Sequence, residues 1–377
     1  MKRGIAAWAW ALALALAGSA QAENGVTPTE VTLGMCNVLT GPAAALGTGI
    51  RKGSMVYFDK VNKAGGVNGR KIRVVSYDDG YEPKNTVAQT GKLVNDDKVF
   101  ALFGYVGTPT SSAIMPILAS ANIPFWGPFT GAELLRNPVN KNIFNVRASY
   151  FDEAEAQVDY LERRGVKKIA IFYQNDAYGL AVKGGLIKAM RKRNLDVAGE
   201  GTYERNTEDV DAAVAALRKA NPEAVSMVGT YKAMAAFIRK AKDAGFNPVF
   251  LNVSFVGTAA LAKELGAAGN GVFVTQVMPS PADAKLPIVA QYAADMKAAG
   301  NTELDYTDLE GYVDAALFVE VLKKAGPELT RDSFRAAAES LDASIGGLAM
   351  RFTPTDHQAL RKVYLTTINR GQAEPVK

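Results

Sequence analysis

Short runs of β-branched and aromatic residues alternate along this chain with longer segments whose apolar positions recur every three or four residues. The short runs at 30–38, 71–77, 99–104, 123–126, 168–173, 197–203, 224–228, 248–252 and 271–275 predict strands. The pattern over 50–64, which stops at Gly65-Gly66, and that over 83–97 predict helices, and helical segments fill most of the other gaps. Alternation of this kind predicts an α/β fold with parallel-rich sheets covered by helices on both faces.

The pattern also echoes itself. YVGTPTSSAIMPILASANIPFWGPFTGAELL (105–135) reads as a strand end, Val-Gly-Thr, a helix, a short strand and a loop, and MVGTYKAMAAFIRKAKDAGFNPVFLNVSFVGTAAL (227–261) reads the same way. Val106-Gly107-Thr108 and Val228-Gly229-Thr230 hold the same place in the two stretches. Two similar α/β lobes are expected. Open parallel sheets take ligands beyond the carboxyl ends of their strands, and binding sites favour domain interfaces. Two facing lobes would therefore line a cleft with both turns.

In the first turn Thr108 reads as a helix N-cap and Pro109 as the first helical residue. The amides of Thr110 and Ser111 would then be left for an anion such as a carboxylate, with the hydroxyls of Thr108 and Thr110 as further donors. The same residues also make an ordinary capped helix with no ligand. Pro116 is expected to kink or shorten that helix. Tyr105, Trp126, Phe129, Tyr178 and Tyr231 fall at predicted strand ends or in the turns after them, and could wall the cleft with rings that carry a polar tip.

Composition narrows the function. The 48% apolar content over 377 residues suits about two globular domains. A basic start, an apolar run and Ala20-Gln21-Ala22 predict a signal peptide over 1–22, cleaved after Ala22. No later stretch has the length of a membrane span, so a protein exported to the periplasm is expected. With 43 basic and 38 acidic residues the charge marks no nucleic-acid surface, and the Arg191-Lys192-Arg193 cluster reads as a solvated helix face. One cysteine, Cys36, and one histidine, His357, cannot build a zinc site or a Cys-His dyad. GTGIRKG (47–53) lacks the spacing of a dinucleotide loop, and no P-loop, H-E-x-x-H or G-x-S-x-G motif is present. Asp78-Asp79 is read as a loop-capping pair rather than as a metal site. No cofactor and no catalytic residues are expected.

VTLGMCNVLTGPAAALGTGIRKG, VNKAGGVNGRKIRVVSYDDGYEPKNTVAQTGKLVNDDKV, KKIAIFYQNDAYGLAVKGGL and FTPTDHQALRKVYLTTI resemble the leucine/isoleucine/valine-binding group of type I periplasmic solute-binding proteins of ABC importers. The resemblance spans nearly the whole chain after the signal peptide. It implies two Rossmann-like lobes joined by three crossovers, with the first lobe at 23–150 and 278–353 and the second at 151–277 and 354–377. It implies a monomer that closes on a small solute and delivers it to a membrane permease. The alternative is a ligand-sensing domain that partners a membrane receptor, although the final GQAEPVK brings no span.

Carried over position by position, the resemblance implies Leu46, Thr108, Phe129, Thr130, Tyr178, Tyr231 and Ser254 as ligand contacts, and Tyr105 joins them from the strand-end reading. Leu46 stands where the group commonly has Tyr. Ser254 stands where the amino-acid binders place the Glu that receives the ligand's ammonium, and Asp176 is the nearest acid in sequence to the second lobe's aromatic turn. These departures favour a carboxylate or polar solute other than leucine, isoleucine or valine.

Overall fold

The computed structural model describes residues 23–376; the signal peptide expected at 1–22 lies outside the described residues. β1 (Glu30–Asn37), β2 (Lys71–Asp78), β3 (Ala101–Phe103), β4 (Phe125–Trp126) and β5 (Ile143–Phe144) form a parallel sheet in the order β2-β1-β3-β4-β5. β6 (Ile169–Gln174), β7 (Glu200–Tyr203), β8 (Ala224–Val228), β9 (Val249–Asn252) and β10 (Phe273–Gln276) repeat that order as β7-β6-β8-β9-β10, again all parallel. The echo between the two Val-Gly-Thr stretches is thus one strand order used twice. A hairpin of β11 (Asp342–Ile345) and β12 (Leu348–Arg351) follows, and β13 (Tyr364–Asn369) with β14 (Gln372–Pro375) extends the second sheet antiparallel beyond β10.

None of the runs read as strands includes β5 or β11–β14. β5 has only two residues, too few to show a period. The hairpin had a usable signal in Gly346-Gly347 between two short alternating runs.

The first helix spans Ala44–Lys63 and starts six positions before the predicted 50. Its early turns are rich in glycine for a packing reason. A Cβ on Gly47 would lie 2.0 Å from the Val38 carbonyl oxygen, and one on Gly53 would lie 1.8 Å from that of Asp308. From the facing helix Tyr306–Ala325, a Cβ on Gly311 would lie 2.2 Å from the Ile50 oxygen. The two backbones touch, and the Ser54 hydroxyl donates to the Gly311 carbonyl at 3.0 Å. GTGIRKG is therefore a helix-packing face.

Trp126 fills the core on this side, its ring 5.6 Å from Phe144 and 5.5 Å from Phe318. Each such buried ring contributes about 1.5–3 kcal/mol. Cys36 is buried beside Asp79, and burial pushes its thiol well up, so the thiol is inert.

Candidate functional site

The carboxyl ends of the two parallel sheets face each other. After β2, Asp78 accepts from the Leu39 and Gly80 amides at 2.8 and 2.9 Å, and Asp79 accepts from the Tyr81 amide at 2.8 Å and the Thr86 hydroxyl at 2.9 Å. The acid pair shapes a loop, as read. It forces Tyr81 to a φ of 63° and aims the ring between the lobes, where it is fully buried.

Tyr81 in turn presses on the turn after β3. A Cβ on Gly107, whose φ is 101°, would lie 2.4 Å from the Tyr81 ring, so only glycine fits there. This turn differs from its sequence reading. The helix is Thr108–Ala113, Gly107 is its N-cap, and Thr108 is its first residue. A second helix, Met115–Ala121, carries Pro116 in its first turn. The Ser111 amide donates to the Gly107 carbonyl at 3.1 Å, and the Thr110 hydroxyl turns back onto the same oxygen at 2.9 Å. Neither is left for a ligand, contrary to the expectation. The Thr108 hydroxyl instead shares a 2.6 Å hydrogen bond with that of Thr130, across two loops. Arg136 fixes the Thr130 loop by donating to the Ala132 carbonyl at 3.0 Å and the Thr130 carbonyl at 3.3 Å.

The second wall is aromatic. The Phe255 ring lies 4.6 Å from Tyr178, 5.2 Å from Phe129 and 6.1 Å from Tyr81, and Tyr150 stands 5.4 Å from Tyr178. Tyr231, which opens its helix, accepts from the Ala45 amide at 3.4 Å. Leu46 reaches across to Gly257, where a Cβ would come within 2.6 Å of its side chain. Leu46, Thr108, Phe129, Thr130, Tyr178, Tyr231 and Ser254 thus meet in one buried region between the sheets.

Two of the proposed wall aromatics do not. The Tyr105 hydroxyl bonds Thr90 at 3.0 Å and its ring packs on Phe125, in the separate core behind the first sheet. Trp126 points to the opposite face and donates its indole N–H to the Asp314 carbonyl at 3.0 Å. Both follow the alternation of side chains about the strand ends, which a position at a strand end does not reveal. Tyr105 is therefore removed from the candidate contacts.

Where the chain first crosses between the sheets lies a buried charge cluster. Arg147 donates to the Ser254 hydroxyl, lies 3.9 Å from Glu153 and 3.4 Å from Glu310, and covers the Phe129 ring at 4.6 Å. Glu153 accepts from the Ser254 amide at 2.7 Å, the Ser254 hydroxyl at 2.9 Å and the Thr275 hydroxyl at 2.5 Å. Burial disfavours the Arg147 charge, but Glu310 and Glu153 outweigh it and hold the guanidinium above its usual value. Burial pushes the Glu310 carboxyl up to about 7, and it pushes Asp314 well above the carboxylate range. A cavity of about 10 Å³, close to what one water needs, opens beside Glu310, Ser254 and Phe129.

The acids near Ser254 are therefore Glu153 and Glu310, not Asp176. Asp176 caps its helix through the Tyr178 amide and binds Arg205 at 2.9 Å. Arg205 continues to Glu82 at 3.0 Å, and Asn206 donates to Glu82 at 2.7 Å, which straps the loop after β7 to the loop after β2. The sequence did mark the cluster. Arg147 is the one charge in NIFNVRASY, and Glu310 and Asp314 lie among apolar residues in the buried part of the helix Tyr306–Ala325.

Two parallel sheets of the same strand order thus meet over a buried polar and aromatic region. Residues 30–373 match the periplasmic binding protein family, and the chain belongs to it. Its members are solute-binding proteins rather than enzymes. The leucine-, isoleucine-, valine-, threonine- and alanine-binding protein of Pseudomonas aeruginosa is 26% identical over 312 residues, which is 81% of this chain and 82% of that one. The crystal structure of a possible leucine/isoleucine/valine-binding protein from Rhodopirellula baltica superposes with a TM-score of 0.89 at 36% identity, covering 95% of this chain and 98% of that one. A fatty acid ABC transporter substrate-binding protein from Thermomonospora curvata gives 0.85 at 28% identity, covering 94% and 93%.

Proposed function

We propose that this chain captures a small carboxylate or other polar solute in the periplasm, by closing its two lobes on it, and presents the closed form to the permease of an ABC importer. The lobes meant are 23–150 with 278–353 and 151–277 with 354–377. The observation that carries the reading is the buried meeting of Thr108 and Thr130 from one lobe with Tyr178, Tyr231 and Ser254 from the other. Residues from two separately built lobes bury polar groups against each other, which suits a cleft that opens and shuts on a guest. The amino acids and fatty acids in the names of the relatives share a carboxylate, and Leu46 in place of a tyrosine leaves that corner of the cleft apolar.

Thermal melting with a panel of small solutes tests this: leucine, its 2-oxo analogue, hexanoate, benzoate and the corresponding amides. At least one class should raise the melting temperature in proportion to the logarithm of its concentration, with a smaller radius of gyration in solution scattering. Unchanged melting across the panel would overturn the reading.

A further inference from the structure

Two crossing segments run side by side between the sheets. The Ala359 amide donates to the Asn145 carbonyl at 2.9 Å, and the Leu360 amide donates to that of Val146 at 2.9 Å. Gln358 lies in this pair, buried, with its side chain stretched between two charged groups. Its Oε1 accepts from Arg136 Nε at 3.1 Å, and its Nε2 donates to Asp152 Oδ2 at 2.9 Å and to the Leu360 carbonyl at 3.0 Å. Arg136 stands in the loop between β4 and β5, and Asp152 in the first turn of the helix Tyr150–Arg163.

The groups at the two ends decide what can stand between them. A guanidinium only donates. Asp152 Oδ2 accepts, and it already receives the Ser149 amide at 2.9 Å and the Ser149 hydroxyl at 3.0 Å. The link therefore needs an acceptor at one end and a donor at the other, and glutamine carries both. Glutamate would set a second carboxylate against Asp152, lysine would set a cation against Arg136, and leucine would answer neither. Arg136, itself buried, directs its other donors to the Ala132, Thr130 and Arg147 carbonyls at 3.0, 3.3 and 3.2 Å. Thr130 is the residue whose hydroxyl pairs with Thr108. Thr130, Arg136, Gln358 and Asp152 thus form a chain of contacts from a first-lobe loop to the first helix of the second lobe. Arg136, Gln358 and Asp152 line a cavity of about 440 Å³, which shares no lining residue with the small cavity beside Ser254.

We propose that Gln358 is a positioning residue of the solute site: as the adaptor between Arg136 and Asp152 it couples the Thr130 loop of one lobe to the helix Tyr150–Arg163 of the other, and it fixes the angle between the lobes without touching the solute. This role rests on the solute-binding reading and adds to it the part that sets the geometry of the cleft.

Arg136 meets three carbonyls and one amide oxygen in these contacts, and burial together with the Arg147 charge pushes its guanidinium down to about 10. A glutamate at 358 would strengthen the Arg136 end of the link while it breaks the Asp152 end. Stability and positioning should therefore separate in Gln358→Glu, which a plain packing role would not allow.

Nitroxides at two exposed positions, Lys84→Cys in the first lobe and Arg218→Cys in the second, report the distance between the lobes by pulsed electron resonance, and Cys36 is buried. Gln358→Glu should melt no lower than the wild type. Its interlobe distances should nevertheless broaden without solute, and calorimetry should show the tightest-binding member of the solute panel weakened about tenfold. Adding Asp152→Asn, whose amide can donate to the new glutamate while its oxygen still receives Ser149, should restore both. Gln358→Leu should broaden the distances as Gln358→Glu does, and Val139→Ala, in the same cavity but off the link, should change neither distances nor affinity. Wild-type distances and affinity in Gln358→Glu, or a double variant no better than the single one, would overturn the inference. If no panel member binds the wild type, the solute-binding reading fails, and the distances alone decide whether Gln358 couples the lobes.

Discussion

The two Val-Gly-Thr turns occupy the same place in two sheets of the same strand order, and they do different work. In each, a tyrosine from the edge strand two places away, or from the loop after it, leans on the glycine: Tyr81, just beyond β2, on Gly107 and Tyr203, the last residue of β7, on Gly229. In the second lobe the Tyr203 hydroxyl receives the Thr230 amide at 3.1 Å and donates to Gln174 at 3.0 Å, so the start of that helix is satisfied from within its own lobe. In the first lobe Tyr81 instead reaches across and receives the Gln174 side chain at 3.3 Å, while Thr108 turns to Thr130. One turn is an internal joint that presents an aromatic ring, Tyr231. The other presents a pair of hydroxyls and ties the lobes together. A repeated fold can thus divide the work of a cleft by changing which hydroxyl answers which amide.

Breaking the glycines should give the largest effect. Gly107→Ala meets both a positive φ and the Tyr81 ring, and should cost about 2–4 kcal/mol in urea unfolding. Gly229→Ala meets the mobile end of Met234 at 2.3 Å and the Tyr203 hydroxyl at 2.4 Å, with no unfavourable φ, and should cost about 1–2 kcal/mol. Equal losses would mean that the two joints are equivalent after all.

Next come the threonines. Thr108→Ala should lower affinity for the best solute roughly ten- to hundredfold in calorimetry, whereas Thr230→Ala, whose hydroxyl is turned to Tyr203, should change it by less than about threefold. Similar losses in the two would return Thr108 to a structural role. The smallest effect is expected at the strap between the lobes. Arg205→Ala removes the partly exposed pair with Glu82 that links the lobes, together with the Asp176 pair inside the second lobe, so affinity should fall by no more than about fivefold, near 1 kcal/mol, and the difference should shrink in high salt. A loss that survives high salt would mean that Arg205 touches the solute.

The fold was largely legible because strand and helix periods differ, and an alternation repeated along the chain leaves few architectures. The site was legible only where a main-chain turn carries it. Thr108 and Tyr231 follow strands directly, so their place beyond the sheet edge follows from chain direction. Tyr105 and Trp126 sit equally close to strand ends, but their side chains leave for the two faces of the sheet, and one residue of phase decides that. Arg147, Tyr150, Glu153 and Glu310 come from a crossover and from helices far apart in the chain. A lone charge in an apolar run announces burial, but it does not name its partner.

The glycine-lined contact between Ala44–Lys63 and Tyr306–Ala325 bears on the order in which the molecule takes shape. Ser54 finds its acceptor at Gly311, 257 positions later, so the first sheet keeps a bare apolar face until the chain is almost fully made. The second sheet draws β6 to β10 from one continuous stretch, but it too waits for its last two strands, β13 and β14, at the end of the described residues. Contacts this distant carry a large loop-closure cost, so they form late. Both sheets are therefore finished by segments made late, and an immature molecule exposes the surface on which the helices Ala44–Lys63 and Tyr306–Ala325 are meant to meet.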